Sequence, residues 1–193
     1  MKTKPLTFLL ALTFLFLFSG SVYGQEEVKK EYYPNGKLNM ETHYKDGKMH
    51  GIRTWWNESG KKENEQNYKN GKLEGVATDW FPNGKKMYEY NYKNGEPHGV
   101  RTGWYRDGKL KYKKNFKNGQ FDGITTWWNE SGKKMIEATY IDGKLGRETE
   151  YHKNGNKKIE KHYKNGKENG LRTEWSEDGK KTFEGNFVDG VQR

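Results

Sequence analysis

The sequence predicts an all-β fold: one elongated, single-layer antiparallel sheet of tandem β-hairpins, about 14 strands in all, repeating every 24 residues as a solenoid. Three observations carry that prediction. The octapeptide WWNESGKK stands at 55–62 and again at 127–134, 72 positions apart, which is three periods. Asn, Asp or Ser followed by Gly recurs along the chain, with glycines at 36, 47, 60, 71, 84, 95, 108, 119, 132, 143, 155, 166, 179 and 190. Their spacing alternates 11 and 13 residues, with a single 12 between Gly143 and Gly155. Finally, only 31% of residues are hydrophobic, yet the chain carries 7 Trp, 13 Tyr, 9 Phe and 24 Gly. A disordered segment would lack so many rings, and what remains cannot build a large aliphatic core.

Residues 1–24 precede the repeats. Lys2 and Lys4 give a basic start, Leu6 to Phe18 form an apolar run broken by two threonines, and small residues lead to a cut after Gly24. This layout predicts a secretory signal peptide, its core too short for a comfortable membrane span, and hence an exported chain destined for periplasm, outer surface or medium. No Cys follows the run, which excludes a lipid-modified cysteine. The chain has no Cys at all, so neither disulfides nor thiolate metal sites hold the fold. From Gln25 onward 34 basic residues face 26 acidic ones, a net charge of +8.

A short segment, 25–30, leads into a repeat domain expected over 31–193. EYYPNGKLNMETHYKDGKMHGIRT opens it, followed by WWNESGKKENEQNYKNGKLEGVAT, DWFPNGKKMYEYNYKNGEPHGVRT and GWYRDGKLKYKKNFKNGQFDGITT. WWNESGKKMIEATYIDGKLGRET is one residue short, because KLG at 144–146 replaces patterns such as KLEG. EYHKNGNKKIEKHYKNGKENGLRT and the truncated EWSEDGKKTFEGNFVDGVQR complete six repeats and a fraction. A single unit cannot fold alone, since ordering its backbone outweighs what three or four half-buried rings return. Stacked neighbours must supply the ladder and the packing.

Each unit holds two turn signals and two segments of about eight to ten residues, the rhythm of consecutive hairpins. Pro34 and Pro82 lie two residues before a turn glycine, where proline's fixed negative φ suits the first central position of a type I turn. We therefore expect three-residue loops with a left-handed Gly and a G1 bulge, in preference to two-residue I′ turns. Tyr33 then stands opposite Lys37 and Tyr44 opposite Lys48, and three columns are expected on one face. The first is Tyr32, Trp56, Trp80, Trp104, Trp128, Tyr151 and Trp175. The second is Tyr44, Tyr68, Tyr92, Phe116, Tyr140, Tyr163 and Phe187, and the third Thr54, Thr78, Thr102, Thr126, Thr149 and Thr173. The opposite face is expected to be charged and amide-bearing, with Arg53 paired to Glu65 and Arg172 to Glu184. In the alternative, Gly51, Gly75, Gly99, Gly123 and Gly170 mark bulges that the short unit lacks, which parts the Trp and Tyr columns.

The pattern Tyr-Tyr-x-Asn-Gly-Lys-x-x-x-Glu-x-x-Tyr-Lys-Asn-Gly-Lys-x-x-Gly, clearest in YYPNGK, HYKDGKMHG and NYKNGKLEG, resembles the MORN repeat variant, the bacterial relative of the membrane occupation and recognition nexus repeat. The resemblance covers essentially all of the chain after the leader. It implies an elongated single sheet of successive hairpins, and roles in scaffolding, protein interaction or binding of acidic phospholipids. It also implies, as an alternative, an antitoxin-like component of the YwqK type; the predicted export would set such a component against an exported toxin.

Repetition argues against catalysis, which needs a unique asymmetric constellation, so neither catalytic residues nor a cofactor are expected. Glu41, Glu65, Glu89, Glu137, Glu160 and Glu184 form a column of carboxylates with nothing to raise the pKa of one of them. Ser59 and Ser131 read as turn residues. His43 and His162 are equivalent in different repeats, as are His50 and His98, so a metal site would need distant repeats to converge, and none is expected. The expected partner-binding surface is the aromatic face: Tyr32, Trp56, Trp80, Trp104, Trp128, Tyr151 and Trp175, with Tyr92 and Phe116, gripping a protein. The alternative lies in the turn lysines, which line both long margins and attract anionic lipid or envelope polysaccharide. Repeat four replaces the column Glu with Lys113 and adds Lys111 and Lys114, with Arg101 expected opposite Lys113; these four form the candidate anionic-ligand patch. Nucleic acid is not an expected partner of an exported chain, despite a pI near 9.4.

Overall fold

Two kinds of turn alternate along the chain, and the difference between them sets which side chains share a face. In the first kind Gly36 N–H donates to the Tyr33 carbonyl at 2.9 Å and Tyr33 N–H to the Lys37 carbonyl at 2.8 Å, with Gly36 at φ +80°. The same pair of bonds recurs at Asn57, Phe81, Tyr105, Asn129, His152 and Ser176. This is the expected three-residue loop with its G1 bulge. The second kind differs. Asp46 and Gly47 have φ of 51° and 71°, Lys45 pairs directly with Lys48, and the same holds at Asn70, Asn94, Asn118, Asp142, Asn165 and Asp189. These are two-residue I′ turns, so Tyr44 faces Met49 instead of Lys48. No proline precedes these glycines, and Asn or Asp tolerates the left-handed conformation that I′ demands at both central positions.

The computed structural model describes residues 24–193, and the rest of the expected leader lies outside the described residues. Those residues form one open antiparallel sheet of 18 strand segments, in which successive hairpin arms pair in chain order. Glu96–Pro97 continues into Gly99–Trp104, Gln120–Phe121 into Gly123–Trp128, and Lys167–Glu168 into Gly170–Trp175, each interrupted at one residue. Fewer continuous strands therefore cross the ribbon than segments, close to the expected number. The first strand, Glu26–Tyr32, takes in most of the segment set apart above as 25–30. Its outer side and that of Val191–Gln192 are the two edges.

The interruptions mark large bulges, which the uninterrupted strands of other repeats also carry. Gln66 pairs with Ala77 and Tyr68 with Leu73, so Asn67 alone opposes Glu74, Gly75 and Val76. Gly75 sits at φ +81°, and its counterparts Gly51, Gly99, Gly123 and Gly170 are likewise positive. At four of these bulges the freed carbonyl finds a side chain: Asn67 Nδ2 donates to Val76 at 2.6 Å, Asn91 Nδ2 to Val100 at 2.5 Å, Asn115 Nδ2 to Ile124, and His162 Nδ1 lies 2.7 Å from the Leu171 carbonyl. In the short unit Tyr140 pairs with Leu145 and Thr139 with Arg147, leaving Gly146 as a single extra residue without positive φ. One residue fewer in the bulge accounts for the 23-residue unit.

The bulges and I′ turns separate the columns. Pairing runs Thr54, Glu65, Thr78, Glu89, Thr102, Lys113, Thr126, Glu137, Thr149, Glu160, Thr173 and Glu184 across the sheet. The Trp column lies two residues further along and shares this threonine face. The Tyr column, Tyr92 and Phe116 included, lies on the opposite face, so the expectation of one shared face is corrected. Trp55 and Trp127 also stand there, opposite Asn64 and Tyr112. The expected ion pairs shift by one position: Arg53 faces Gln66 and Arg172 faces Gly185, while the carboxylates of Glu65 and Glu184 face threonines. Burial follows the midline of the ribbon. Thr42, Thr54, Thr78, Thr102, Thr125, Thr126, Thr149 and Thr173 are buried with Ala77, Tyr112, Ala138 and Ile159, a line of small residues in place of a packed volume.

Candidate docking face

On the threonine face a lysine and a glutamate repeat together. Lys62 bonds to Glu65 and Lys86 to Glu89, Lys134 to Glu137 at 2.6 Å, Lys157 to Glu160 at 2.8 Å, and Lys181 to Glu184. Four of these ammonium groups also cover the next ring of the Trp column: Lys62 lies 5.4 Å from Trp80, Lys86 5.9 Å from Trp104, Lys134 5.8 Å from Tyr151 and Lys157 5.5 Å from Trp175. Trp56, Trp80, Trp104, Trp128, Tyr151 and Trp175 are half-buried, and Tyr32, at the edge, is exposed. The rings and charges here are partnered within the ribbon. Repeat four breaks the series, with Leu110 and Lys113 where lysine and glutamate stand elsewhere.

The opposite face concentrates its rings in repeats three to five. Alternation along one strand places Tyr88, Tyr90 and Tyr92 side by side, with centroids 5.9 and 6.2 Å apart. Tyr88 stacks on Tyr112 at 6.2 Å and 21°, while Phe121 lies 4.7 Å from Phe116 and 5.0 Å from Tyr140. Gly103 makes room for this arrangement: a Cβ there would lie 2.6 Å from the Tyr112 ring. Two cations sit among the rings. The Arg101 guanidinium is 4.3 Å from the Tyr90 ring, and the Lys114 ammonium is 4.6, 5.3 and 5.9 Å from Tyr112, Trp127 and Phe121. Beside them a notch of about 50 Å³ is lined by Tyr90, Tyr92, Pro97, Arg101 and Phe116. Burial, then the charge of Asp79, pushes Tyr90 up to about 12, and burial raises Tyr112, so both hydroxyls remain donors near neutrality. Burial, then Arg101, pushes the Lys114 ammonium down.

The expected four-residue patch therefore divides. Arg101 pairs across the strands with Lys114, whereas Lys113 pairs with Thr102 on the threonine face. Lys111 occupies the G1 bulge, 5.6 Å from the Tyr105 ring. Tyr88, Tyr90, Tyr112, Phe121 and Trp127 were missed as site residues, although the alternation Tyr88, Tyr90, Tyr92 was a signal for a ringed strand face.

The margins are unlike each other. Along the three-residue loops, lysines reach forward to the next repeat: Lys37 Nζ donates to Ser59 O at 3.1 Å, Lys61 to Pro82 O at 3.0 Å, Lys109 to Glu130 O at 2.8 Å and Lys133 to Asn154 O at 3.3 Å. Tyr33 and Tyr105 hydroxyls donate likewise to the Trp56 and Trp128 carbonyls, both at 2.7 Å. Along the I′ turns, Lys48, Lys72, Lys144 and Lys167 are exposed.

The histidines and serines singled out above are engaged locally, except His98, whose buried Nδ1 has no hydrogen-bond partner among the described residues. His43 lies 3.0 Å from Glu41, whose carboxyl is held low by Lys30 and then His43, and His50 lies 3.3 Å from Asn70. Ser59 and Ser131 donate to Asn57 and Asn129 within their turns, each at 2.6 Å. Among the described residues no group of three or more His, Asp or Glu is placed to hold a metal.

The family model of the MORN repeat variant matches this chain at 28–46, 49–70, 73–94, 97–118, 121–142 and 144–165, six tandem stretches that together cover more than half of it. No curated protein matches the chain.

Proposed function

Because the chain belongs to the MORN repeat variant family, we propose that it is a non-enzymatic repeat scaffold, exported by its leader, that binds a partner protein across the tyrosine face of repeats three to five. MORN repeats are generally associated with binding proteins and membrane lipids, which agrees with a binding role. The observation that carries the proposal is a pair of neighbouring ring clusters, Tyr88, Tyr90, Tyr92 and Tyr112 beside Phe116, Phe121 and Tyr140, on a sheet with no second layer among the described residues. Uncovered ringed surfaces of that kind mark contact sites. The Trp column, with lysines already over four of its rings, is assigned to holding repeats together. An antitoxin-like role would be the same docking directed at an exported toxin.

The second reading, attraction of anionic lipid or envelope polysaccharide, draws on the exposed lysines of the I′ margin, since lysines of the other margin are tied to carbonyls. Affinity capture from the native cell envelope at two ionic strengths separates the two. Docking on rings predicts capture that survives high salt, is lost in Tyr92→Ala and persists in Trp104→Ala. Capture that collapses with salt, or that ignores Tyr92→Ala, would overturn the first reading.

A further inference from the structure

We propose that Arg101 and Lys114 are a two-pronged anchor for one carboxylate side chain of an extended acidic peptide segment, an inference that rests on the docking reading above and specifies its partner. The two residues face each other directly on neighbouring strands. Corresponding positions elsewhere combine Arg53 with Gln66, Thr125 with Ala138, and Glu148 with Lys161. The junction of repeats three and four thus sets cation against cation where the other pairings carry one charge, opposite charges or none. Like charges in direct opposition destabilise a sheet, so the pair gains from an anion between its heads.

Among the described residues, neither Arg101 nor Lys114 makes an ion pair, and the buried Arg101 Nε has no hydrogen-bond partner. Arg172, in the equivalent position three repeats on, is paired with Glu174 and Glu168. Asp79 acts on the neighbouring Tyr90 and makes no ion pair with either cation.

Shape selects the partner. Both cations lie half-buried among rings, Lys114 within 6 Å of three of them. A bilayer surface or a bulky charged sugar would first meet the exposed Lys111, Lys113 and the margins. An Asp or Glu carries its carboxylate on a slender apolar stem that fits between rings. A guanidinium and an ammonium converging on one carboxylate form charge-assisted bonds stronger than neutral ones.

The test titrates purified protein with a labelled peptide of alternating valine and threonine bearing one central glutamate, and with its glutamine counterpart. Tighter binding of the glutamate peptide by about tenfold is expected, with that preference lost in Arg101→Gln and Lys114→Gln and kept in Lys113→Gln on the other face. Unchanged amide exchange over Leu110–Lys117 in the variants shows that the strand is intact. Equal binding of the two peptides, or equal loss in Lys113→Gln, overturns the anchor. So does Lys114-dependent binding of anionic phospholipid vesicles or polygalacturonate with no binding of the peptide. Envelope capture that persists in Lys114→Gln beside a failed peptide preference refutes the anchor alone, whereas capture indifferent to Tyr92→Ala refutes the docking face itself.

Discussion

Gly103 and Tyr112 are the tightest test of how the ringed face is built. Gly103→Ala would place a methyl 2.6 Å from ring carbons of Tyr112, about 1 Å inside normal carbon contact. Gly103 has no positive φ, so backbone strain does not enter and the whole effect is steric. The ring cannot swing away freely: it is 8% exposed, stacked on Tyr88, and bears the Lys114 ammonium on its face. Overpacking of this sort costs about 1–3 kcal/mol, and a displaced ring forfeits part of a stack worth roughly 0.5–1.5 kcal/mol. A local loss of about 2–3 kcal/mol is expected. Repeat arrays need not unfold in one step, so the readout is amide exchange in Gly99–Trp104 and Leu110–Lys117 instead of a global midpoint. Tyr112→Ala lowers protection on its own, and adding Gly103→Ala to it should cost no more than about 0.5 kcal/mol. A similar cost of Gly103→Ala in both backgrounds would refute the steric account and place the glycine's role in the backbone.

Other expectations follow from the midline, the margins and the tyrosines. Thr125 is fully buried with an unpartnered hydroxyl, so Thr125→Val should stabilise by up to about 1 kcal/mol. Thr149 donates to Glu160, so the matching Thr149→Val should destabilise by a similar amount, and equal signs in local exchange would contradict the assignment. Tyr105→Phe strands the Trp128 carbonyl and should cost about 1 kcal/mol, seen as lost protection at the junction of repeats four and five. Tyr90 binds its proton more tightly folded than unfolded, its pKa rising from 10 to about 12. Its stability contribution is therefore complete below pH 10 and declines as pH rises from 10 to about 12. Tyrosinate absorbance should show a late phase that Tyr90→Phe removes; a single phase near pH 10 would count against a buried Tyr90.

The repeat, the all-β class and the turn positions were legible because Gly preceded by Asn, Asp or Ser is local chemistry, and a turn glycine needs no tertiary context. Proline at 34 and 82 correctly announced the three-residue loops. It misled at the alternate turns, where Asp46 and Asn70 accept positive φ and no proline stands. That error moved each register by one residue, which in a sheet exchanges faces and put Arg53 against the wrong partner. The glycines at 51, 75, 99, 123 and 170 held the remedy, since the short unit loses its residue beside Gly146 and keeps its columns aligned. The pairing of Arg101 with Lys114 was out of reach, because it depends on a cross-strand register that spacing alone leaves open. The stapling role of Lys37, Lys61 and Lys109 was equally hidden: the sequence shows a lysine after a turn, and only the fold shows the carbonyl it reaches.

Those forward-reaching clasps have a mechanical consequence. Lys37, Lys61, Lys109 and Lys133 each seize the loop about 22 positions ahead, so successive three-residue loops are gripped by their predecessors. Tension applied at the two ends should ravel the molecule like knitting, one 24-residue stitch at a time, each releasing about 80 Å of thread. A ribbon of this kind yields gradually under load and stays gripped wherever stitches remain.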